Sequence, residues 1–100
     1  MVREKTKWIL AEPRKEFEKF FKTHFQHTKF IPEFESDVTE NPYYHPRGRI
    51  KKLAPQDRYP KESYRWKKSD LRIVYAVEEP TRMIFPLDIN VAGSIGYRRK

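Results

Sequence analysis

Three cations in the stretch from residue 63 to residue 77 have the spacing of an anion-binding site. Arg65 and Lys67 are two residues apart in a run of alternating polar and bulky apolar side chains, and Arg72 follows in a second run of the same kind. Such alternation is typical of β-strands, in which every second side chain points to the same face. Opposed cations destabilise a sheet, so three cations on one face would favour the binding of an anion.

The two runs are separated by the polar pair Ser69-Asp70, which predicts a β-hairpin with a two-residue loop. In that register Lys67 faces Arg72 and Trp66 faces Ile73, and directly opposed residues share a face. A loop of odd length would take Trp66 and Ile73 off a common core face, which argues against it. The hairpin then has one basic face and one apolar face, the latter formed by Tyr64, Trp66, Ile73 and Tyr75.

The charge of the chain is concentrated in the half that contains this hairpin. The 22 lysines and arginines and 14 acidic residues give a net charge of +8, yet residues 1–42 hold eight of each sign. All of the excess therefore lies in residues 43–100, which points to nucleic acid, an anionic membrane surface or an acidic protein as the partner. A membrane is the weakest of the three, because no basic amphipathic helix occurs there.

Composition narrows the class of protein further. The absence of cysteine excludes disulfides, thiolate catalysis and the common structural zinc sites, and the sequence suggests no other cofactor. The first residues do not resemble a signal peptide and no apolar run has membrane-spanning length, so we expect a cytoplasmic protein. The 100 residues, with 15 aromatic side chains, predict a single folded domain spanning residues 1–100.

The first half predicts a short strand and two helices. Residues 8–11 are apolar after a charged start, and Pro13 suits the first turn of a helix whose core face would carry four phenylalanines. A turn at residues 26–29 leads to a second helix marked by Phe34 and Val38, which ends before Pro42. Two helices joined this way are expected to form an antiparallel pair. The four phenylalanines of the first helix are Phe17, Phe20, Phe21 and Phe25.

The second half predicts an antiparallel sheet of three to four strands. Residues 49–53 form a strand, residues 54–62 a proline-containing loop, and the hairpin and a last strand follow. We expect the last strand to place Leu87 opposite Ile73 and Asp88 opposite Arg72, with an edge or a bulge at Pro86, which lacks an N–H donor. The tail after this strand is expected to be mobile. The predicted fold is therefore α+β, with the helices on the apolar face of the sheet.

The pattern Y-R-W-K…D-L-R-I-V-Y, preceded by I-K-K-L at residues 50–53 and followed by a strand and Tyr97, resembles the RelE/ParE toxins of type II toxin-antitoxin modules. The resemblance is clearest over residues 49–90. It implies a small RelE-like domain that is neutralised by a small acidic antitoxin protein. One branch of this family is a set of ribosome-dependent endoribonucleases that cleave mRNA without a metal, and another branch inhibits DNA gyrase.

The resemblance also implies roles for individual residues. The chemistry needs cations around the phosphate, a group that takes a proton and a group that gives one. A lysine crowded by arginines has its ammonium form disfavoured, so Lys52 or Lys67 could be the general base, while Arg72 stabilises the phosphate. The residues expected to be catalytic are Lys52, Arg65, Lys67, Arg72 and Tyr97. Those expected to contact the RNA are Arg49, Lys51, Lys68, Arg98 and Arg99.

Other interpretations remain open. RNA-cleaving relatives often have a basic residue just after the last strand, whereas this chain has Val91 and Ala92 there. This departure favours a non-enzymatic gyrase inhibitor or a member of the family that only binds its antitoxin. An RNA-binding accessory domain would explain the charge but not the hairpin pattern. The cations could also form a solvated face with Arg72 tied to Asp88.

The remaining polar and aromatic candidates are weaker. Tyr43 and Tyr44 could stack on bases, although a role in covering the end of the core is the better explanation. His24 and His27 are three residues apart but have no third ligand, so no metal site is predicted.

Overall fold

The computed structural model of the chain describes residues 8–13, 15–54, 59 and 62–91. A short amino-terminal strand is followed by a helix pair and then by four antiparallel strands, which confirms the predicted α+β class. The tail from residue 92 onwards and most of the predicted loop at residues 54–62 lie outside the described residues. In chain order the elements are β1 (Ile9–Leu10), α1 (Lys15–Thr23), a 3-10 segment (Phe25–Phe30), α2 (Ile31–Glu40), β2 (Ile50–Lys52), β3 (Ser63–Lys68), β4 (Leu71–Glu78) and β5 (Met83–Val91).

The strands form one sheet in the order β1-β5-β4-β3-β2. β1 runs parallel to β5, and all other neighbouring strands are antiparallel. The β3–β4 hairpin has the predicted register, with Lys67 opposite Arg72 and Trp66 opposite Ile73. Ser69, in the loop, has a φ of 58°, and a positive φ is what tight two-residue hairpin loops require. The predicted separation into a basic face and an apolar face is therefore confirmed.

The predicted register of the last strand is wrong for two reasons: Glu78 pairs with Met83, so the turn is one residue longer than predicted, and β5 contains a bulge. Tyr75 is opposite Pro86 and Val74 is opposite Asp88, so Leu87 is an extra residue in β5. Between the bulge and the turn, the observed pairing of β5 differs from the predicted pairing by one residue. Because side chains alternate between the two faces, this difference exchanges the faces of the strand, and Ile84 becomes a core residue with 0% exposure. Pro86 accounts for the bulge, since it cannot donate to the ladder. β5 is not an edge strand, because it lies between β1 and β4.

The helices pack on the apolar side of the sheet. The ring of Phe34 in α2 lies 5.4 Å from the ring of Trp66 and 6.0 Å from that of Tyr75, measured between centroids. Trp66 and Tyr75 are 0% exposed, and the buried Tyr75 hydroxyl donates to the Pro42 carbonyl at 2.6 Å. We call this side of the sheet the core face and the opposite side the open face. Arg65, Lys67 and Arg72 are on the open face.

The four phenylalanines of the first predicted helix do not all enter the core. Phe17 is 4% exposed, and Phe20 and Phe21 pack against the core, but Phe25 is 70% exposed. The α-helix ends at Thr23, so Phe25 begins the 3-10 segment. With about three residues per turn instead of 3.6, that segment no longer continues the apolar stripe of the helix. The interpretation of Phe25 as a core residue is therefore wrong.

Candidate nucleic-acid interface

Two rows of opposed cations cross the open face of the sheet. Lys51 of β2 is opposite Arg65 of β3, and in the next row Lys67 is opposite Arg72 of β4. Directly opposed side chains in an antiparallel sheet have Cβ atoms about 5 Å apart. Lys51, Lys67 and Arg72 are exposed, whereas Arg65 is half-buried. These four residues, which we call the cation cluster, form one positively charged patch.

The cation cluster has no internal counter-charge in the described part of the chain. The side chains of Lys51, Arg65, Lys67 and Arg72 form no ion pair or hydrogen bond with any described residue. Burial, and after it the charge of Arg72, lower the pKa of Arg65 below its ordinary value. The structure thus places four cations side by side without a carboxylate partner among the described residues.

Two other predicted RNA contacts, Arg49 and Lys68, are engaged by carboxylates of α2. Arg49 Nη1 lies 2.9 Å from Asp37 Oδ2 and 3.2 Å from Glu33 Oε2, and Lys68 Nζ lies 2.7 Å from Glu33 Oε2. Asp37 Oδ2 also accepts a hydrogen bond from Trp66 Nε1 at 2.9 Å. The hydrogen bond from Lys68 lowers the pKa of Glu33 below its usual 4.5. Arg49 and Lys68 therefore attach α2 to the sheet and do not belong to the cation cluster.

Lys52, a predicted catalytic residue, is on the wrong side of the sheet for that role. It is opposite Tyr64, so it shares the core face, and its ammonium lies 5.1 Å from the centroid of the Tyr64 ring. Its Nζ also forms an ion pair with Glu62 Oε1 at 3.2 Å. The pleat sends consecutive side chains to opposite faces, so Lys51 and Lys52 cannot both join the cluster. Of the two lysines considered as a general base, the structure brings only Lys67 beside Arg72.

The predicted contribution of the carboxy-terminal tail lies outside the described residues. Tyr97, Arg98 and Arg99 all belong to this part of the chain. Val91, the last residue of β5, is opposite Leu71 and 8% exposed. The position at the end of the last strand is thus apolar and buried, in keeping with the departure from the RNA-cleaving pattern.

The predicted pairing of Arg72 with Asp88 does not occur. The bulge in β5 places Asn90 opposite Arg72 and moves Asp88 opposite Val74. Asp88 instead accepts a hydrogen bond from the hydroxyl of Tyr59, at 2.7 Å between Oδ2 and the phenol oxygen. No periodic pattern in the sequence predicts this contact between Tyr59 and Asp88.

The two tyrosines of the loop before β2 have different environments. The ring of Tyr43 lies 5.6 Å from that of Trp8 and 5.3 Å from that of Tyr64, and its hydroxyl donates to Glu79 at 2.6 Å. Burial and the Glu79 carboxylate raise the pKa of Tyr43. Tyr43 therefore covers the end of the core, as the favoured interpretation predicts, while Tyr44 is 62% exposed.

The histidines take part in structural contacts. His27 is 7% exposed, and its Nε2 lies 3.0 Å from Oδ1 of Asp70 at the hairpin loop. His45 Nε2 lies 3.4 Å from Asp37 Oδ1. Among the described residues, no group of three or more potential ligands is arranged to hold a metal ion. These contacts fasten the 3-10 segment and the loop before β2 to neighbouring elements.

A second surface feature is an apolar groove of about 560 Å³ beside the helices. Phe21 of α1, Ile31 of α2 and Pro86 of β5 lie along it, and the exposed Phe25 stands at its side. The groove opens on the helix side of the molecule, so it is separated from the cation cluster by the thickness of the sheet.

Comparison of the chain with protein-family models gives no match, and comparisons with curated proteins and with solved structures give no significant match. No helix within the described residues is both long and apolar enough to cross a membrane.

Proposed function

We propose that this protein is the toxin of a type II toxin-antitoxin module and acts as a ribosome-dependent endoribonuclease on mRNA. The observation that carries the proposal is the cation cluster, in which Lys51, Arg65, Lys67 and Arg72 share a face without a counter-charge among the described residues. Its position coincides with the hairpin region that resembles the RelE/ParE toxins. A cytoplasmic location belongs to the same proposal, because ribosomes and messages are found there.

In the proposed reaction the 2′-oxygen of a ribose attacks the adjacent phosphate. A bond forms between the 2′-oxygen and phosphorus while the bond from phosphorus to the 5′-oxygen breaks, leaving a 2′,3′-cyclic phosphate and a 5′-hydroxyl. Negative charge accumulates on the phosphate oxygens, and Arg65 and Arg72 are the arginines of the cluster that would stabilise it. Lys67, beside Arg72, is the described residue of the cluster best suited to exchange a proton with the reacting oxygens.

The second candidate is a non-enzymatic toxin that inhibits DNA gyrase or only binds its antitoxin. The buried, apolar Val91 at the end of β5 favours it, as does the ion pair that holds Lys52 on the core face. An RNA-cleaving site would use a basic side chain at the end of the last strand and Lys52 on the open face, and these two features remove both. The cation cluster would then bind an acidic protein surface or DNA instead of a scissile phosphate.

The proposed partner is a small acidic antitoxin whose acidic segment lies over the cation cluster. Charge complementarity supports this placement, since all of the net charge of +8 comes from residues 43–100. Exchanging Lys67 and Arg72 for glutamate should abolish binding of the acidic product of the neighbouring gene, while Phe25→Ser should leave it unchanged. If only Phe25→Ser weakened binding, the partner would occupy the apolar groove and the placement over the cluster would be wrong.

Two assays on induced cells decide between the two activities. Primer extension should reveal cuts confined to translated messages, and these cuts should disappear when Arg72 is replaced by alanine. Supercoiling of a reporter plasmid should stay normal. Intact messages together with a supercoiling defect would overturn the ribonuclease proposal in favour of gyrase inhibition, and the absence of both effects would reject either toxin activity.

A further inference from the structure

One side of α1 combines apolar side chains with one charge of each sign. Glu18, Phe21 and Lys22 share this side of the helix, since residues three and four apart are neighbours on a helix surface. All three line the apolar groove, and so does Phe25, which follows at the start of the 3-10 segment. Glu18 and Lys22 are exposed, Phe21 is half-buried and Phe25 is 70% exposed. This mixed surface, which we call the α1 stripe, is contiguous with the groove.

The charges along the groove limit the kind of partner that fits it. Glu18 and Lys22 form no ion pair with a described residue, and the exposed Glu35 of α2 also lines the groove. Two negative charges and one positive charge disfavour an acidic peptide or a nucleic acid. A surface with phenylalanines and one charge of each sign is instead complementary to a second copy of itself, as a two-fold symmetric interface requires.

We propose that two copies of this chain associate through their grooves, with the two α1 helices packed antiparallel about a two-fold axis. Every contact in such an interface occurs twice, so Glu18 of each copy faces Lys22 of the other. These two opposite-charge pairs place the axis level with Phe20, midway between the two charged residues along the helix. The inference is independent of the proposed function.

The same axis brings Phe25 of each copy into the groove of the other. From the rise per residue of α1 and of the 3-10 segment, Phe25 lies about 8 Å beyond the level of Phe20. Rotation about the two-fold axis carries it the same distance to the other side, between the levels of Pro13 and Phe17 of the second copy. Pro13 and Phe17 both line the groove. The exposed aromatic ring is thereby removed from water in both copies.

The proposed dimer leaves both cation clusters exposed. The groove is on the helix side of the molecule and the clusters are on the open face, so the two clusters would point away from the interface on opposite sides of the dimer. An interface formed by one helix and one groove of each copy is at the small end of the range for specific association. We therefore expect a dimer that dissociates at about micromolar concentrations.

The test is sedimentation velocity of the full chain from about 1 to 500 µM, a range that covers a weak interface. Wild type should pass from monomer to dimer. Phe25→Ser should raise the dimer Kd by at least about 100-fold, because both copies lose an aromatic side chain from the interface. Arg72→Ala should form dimers as wild type does, since Arg72 is on the opposite side of the sheet. A dimer lost in Arg72→Ala would be one bridged by an anion on the open face, and would overturn the proposal.

Charge exchanges test the antiparallel arrangement. Glu18→Lys and Lys22→Glu each place like charges opposite one another in a dimer of the same variant, so the Kd should rise at least about tenfold. An equimolar mixture of the two variants restores both opposite-charge pairs and should form a mixed dimer with the affinity of wild type. Glu16→Lys and Lys19→Glu are the matched controls, because these exposed positions of α1 do not line the groove, and both should form dimers as wild type does.

Several results would overturn the inference. A wild-type chain that stayed monomeric over the whole range would reject the dimer, and a dimer left intact by Phe25→Ser would be formed by another surface. A dimer that the charge exchanges did not weaken, or that the mixture did not restore, would reject the antiparallel arrangement. If Phe25→Ser did not fold, the two charge variants and their mixture would decide alone.

Discussion

Lys67 and Arg72 are directly opposed across the β3–β4 hairpin, and both side chains are exposed. Like charges in this arrangement destabilise a pair of strands, and no carboxylate in the described part of the chain contacts either residue. An arrangement that stabilised only the fold would place an acidic residue at one of the two positions. The opposed cations are therefore the feature on which the proposed anion site depends.

Replacement of Arg72 by alanine should remove activity without unfolding the protein. The change relieves repulsion from Lys67 and breaks no ion pair with a described residue, so the melting temperature should change little. The loss of a preorganised cation beside the phosphate should reduce RNA cleavage on the order of 10²- to 10³-fold. Thermal unfolding and growth curves after induction measure the two effects.

Lys52→Ala is the matched control for Arg72→Ala, since Lys52 is a cation of the same sheet held by Glu62 on the core face. It should keep toxicity. Trp66→Ala, which empties a site of 0% exposure, is the control for unfolding and should cost about 3–5 kcal/mol. Full toxicity in Arg72→Ala, or a loss explained by unfolding, would contradict a role in phosphate binding.

Binding of single-stranded RNA should weaken with salt to a degree set by the size of the cation cluster. Each phosphate neutralised contributes about −0.7 to the slope of log K against log salt concentration, so four cations predict a slope of about −3. Arg72→Ala should reduce its magnitude to about 2. Fluorescence titrations between low and physiological salt measure both values, and a slope near zero would show that the cluster does not contact phosphates.

Asp37 should be more important for stability than any other acidic residue of α2. It accepts hydrogen bonds from Arg49 and Trp66, and its side chain is 14% exposed. Asp37→Ala leaves the half-buried guanidinium of Arg49 without its shortest ion pair, so the free energy of unfolding should fall by about 3 kcal/mol. Urea unfolding gives the free energy. Glu35→Ala, at an exposed position of the same helix, is the control and should stay within about 0.5 kcal/mol of wild type.

The contribution of Glu33 to stability should depend on pH. Its pKa in the folded protein is lowered by the hydrogen bond from Lys68, so the unfolded chain binds a proton more readily in acid. The contribution is therefore present above the ordinary glutamate pKa of 4.5 and is lost as the pH falls through the lower folded value. Melting temperatures from pH 7 to pH 3 should fall less steeply for Glu33→Gln than for wild type. Parallel curves would contradict the linkage.

The sequence alone determined the hairpin at the centre of the proposed site. Alternating side chains and a two-residue polar loop define the register of this hairpin locally. The pattern could therefore predict, without knowledge of distant contacts, which cations are opposed and which aromatic side chains face the core. The helix periodicity likewise predicted α2, because Phe34 and Val38 recur at helical spacing.

Only the tertiary structure decided which cations are available. Arg49 is 16 residues from Glu33 in the sequence, and Lys68 is 35 residues from it. Both cations contact Glu33 when α2 packs on the sheet, and no pattern in the sequence reveals these contacts. The neighbours Lys51 and Lys52 are both expected at the RNA site, yet the pleat sends them to opposite faces once Lys51 pairs with Arg65.

The environment of Asp88 also depended on the folded structure. The turn before β5 and the bulge at Leu87 together shift the pairing of β5 by two residues, so Asp88 lies opposite Val74 and not opposite Arg72. Asp88 instead accepts a hydrogen bond from Tyr59, 29 residues earlier in the chain. Bulges and loop paths are set by the packing of a whole sheet and not by local preference. For that reason the sequence could identify the hairpin that carries the opposed cations, while the contacts of Asp88 emerged only from the fold.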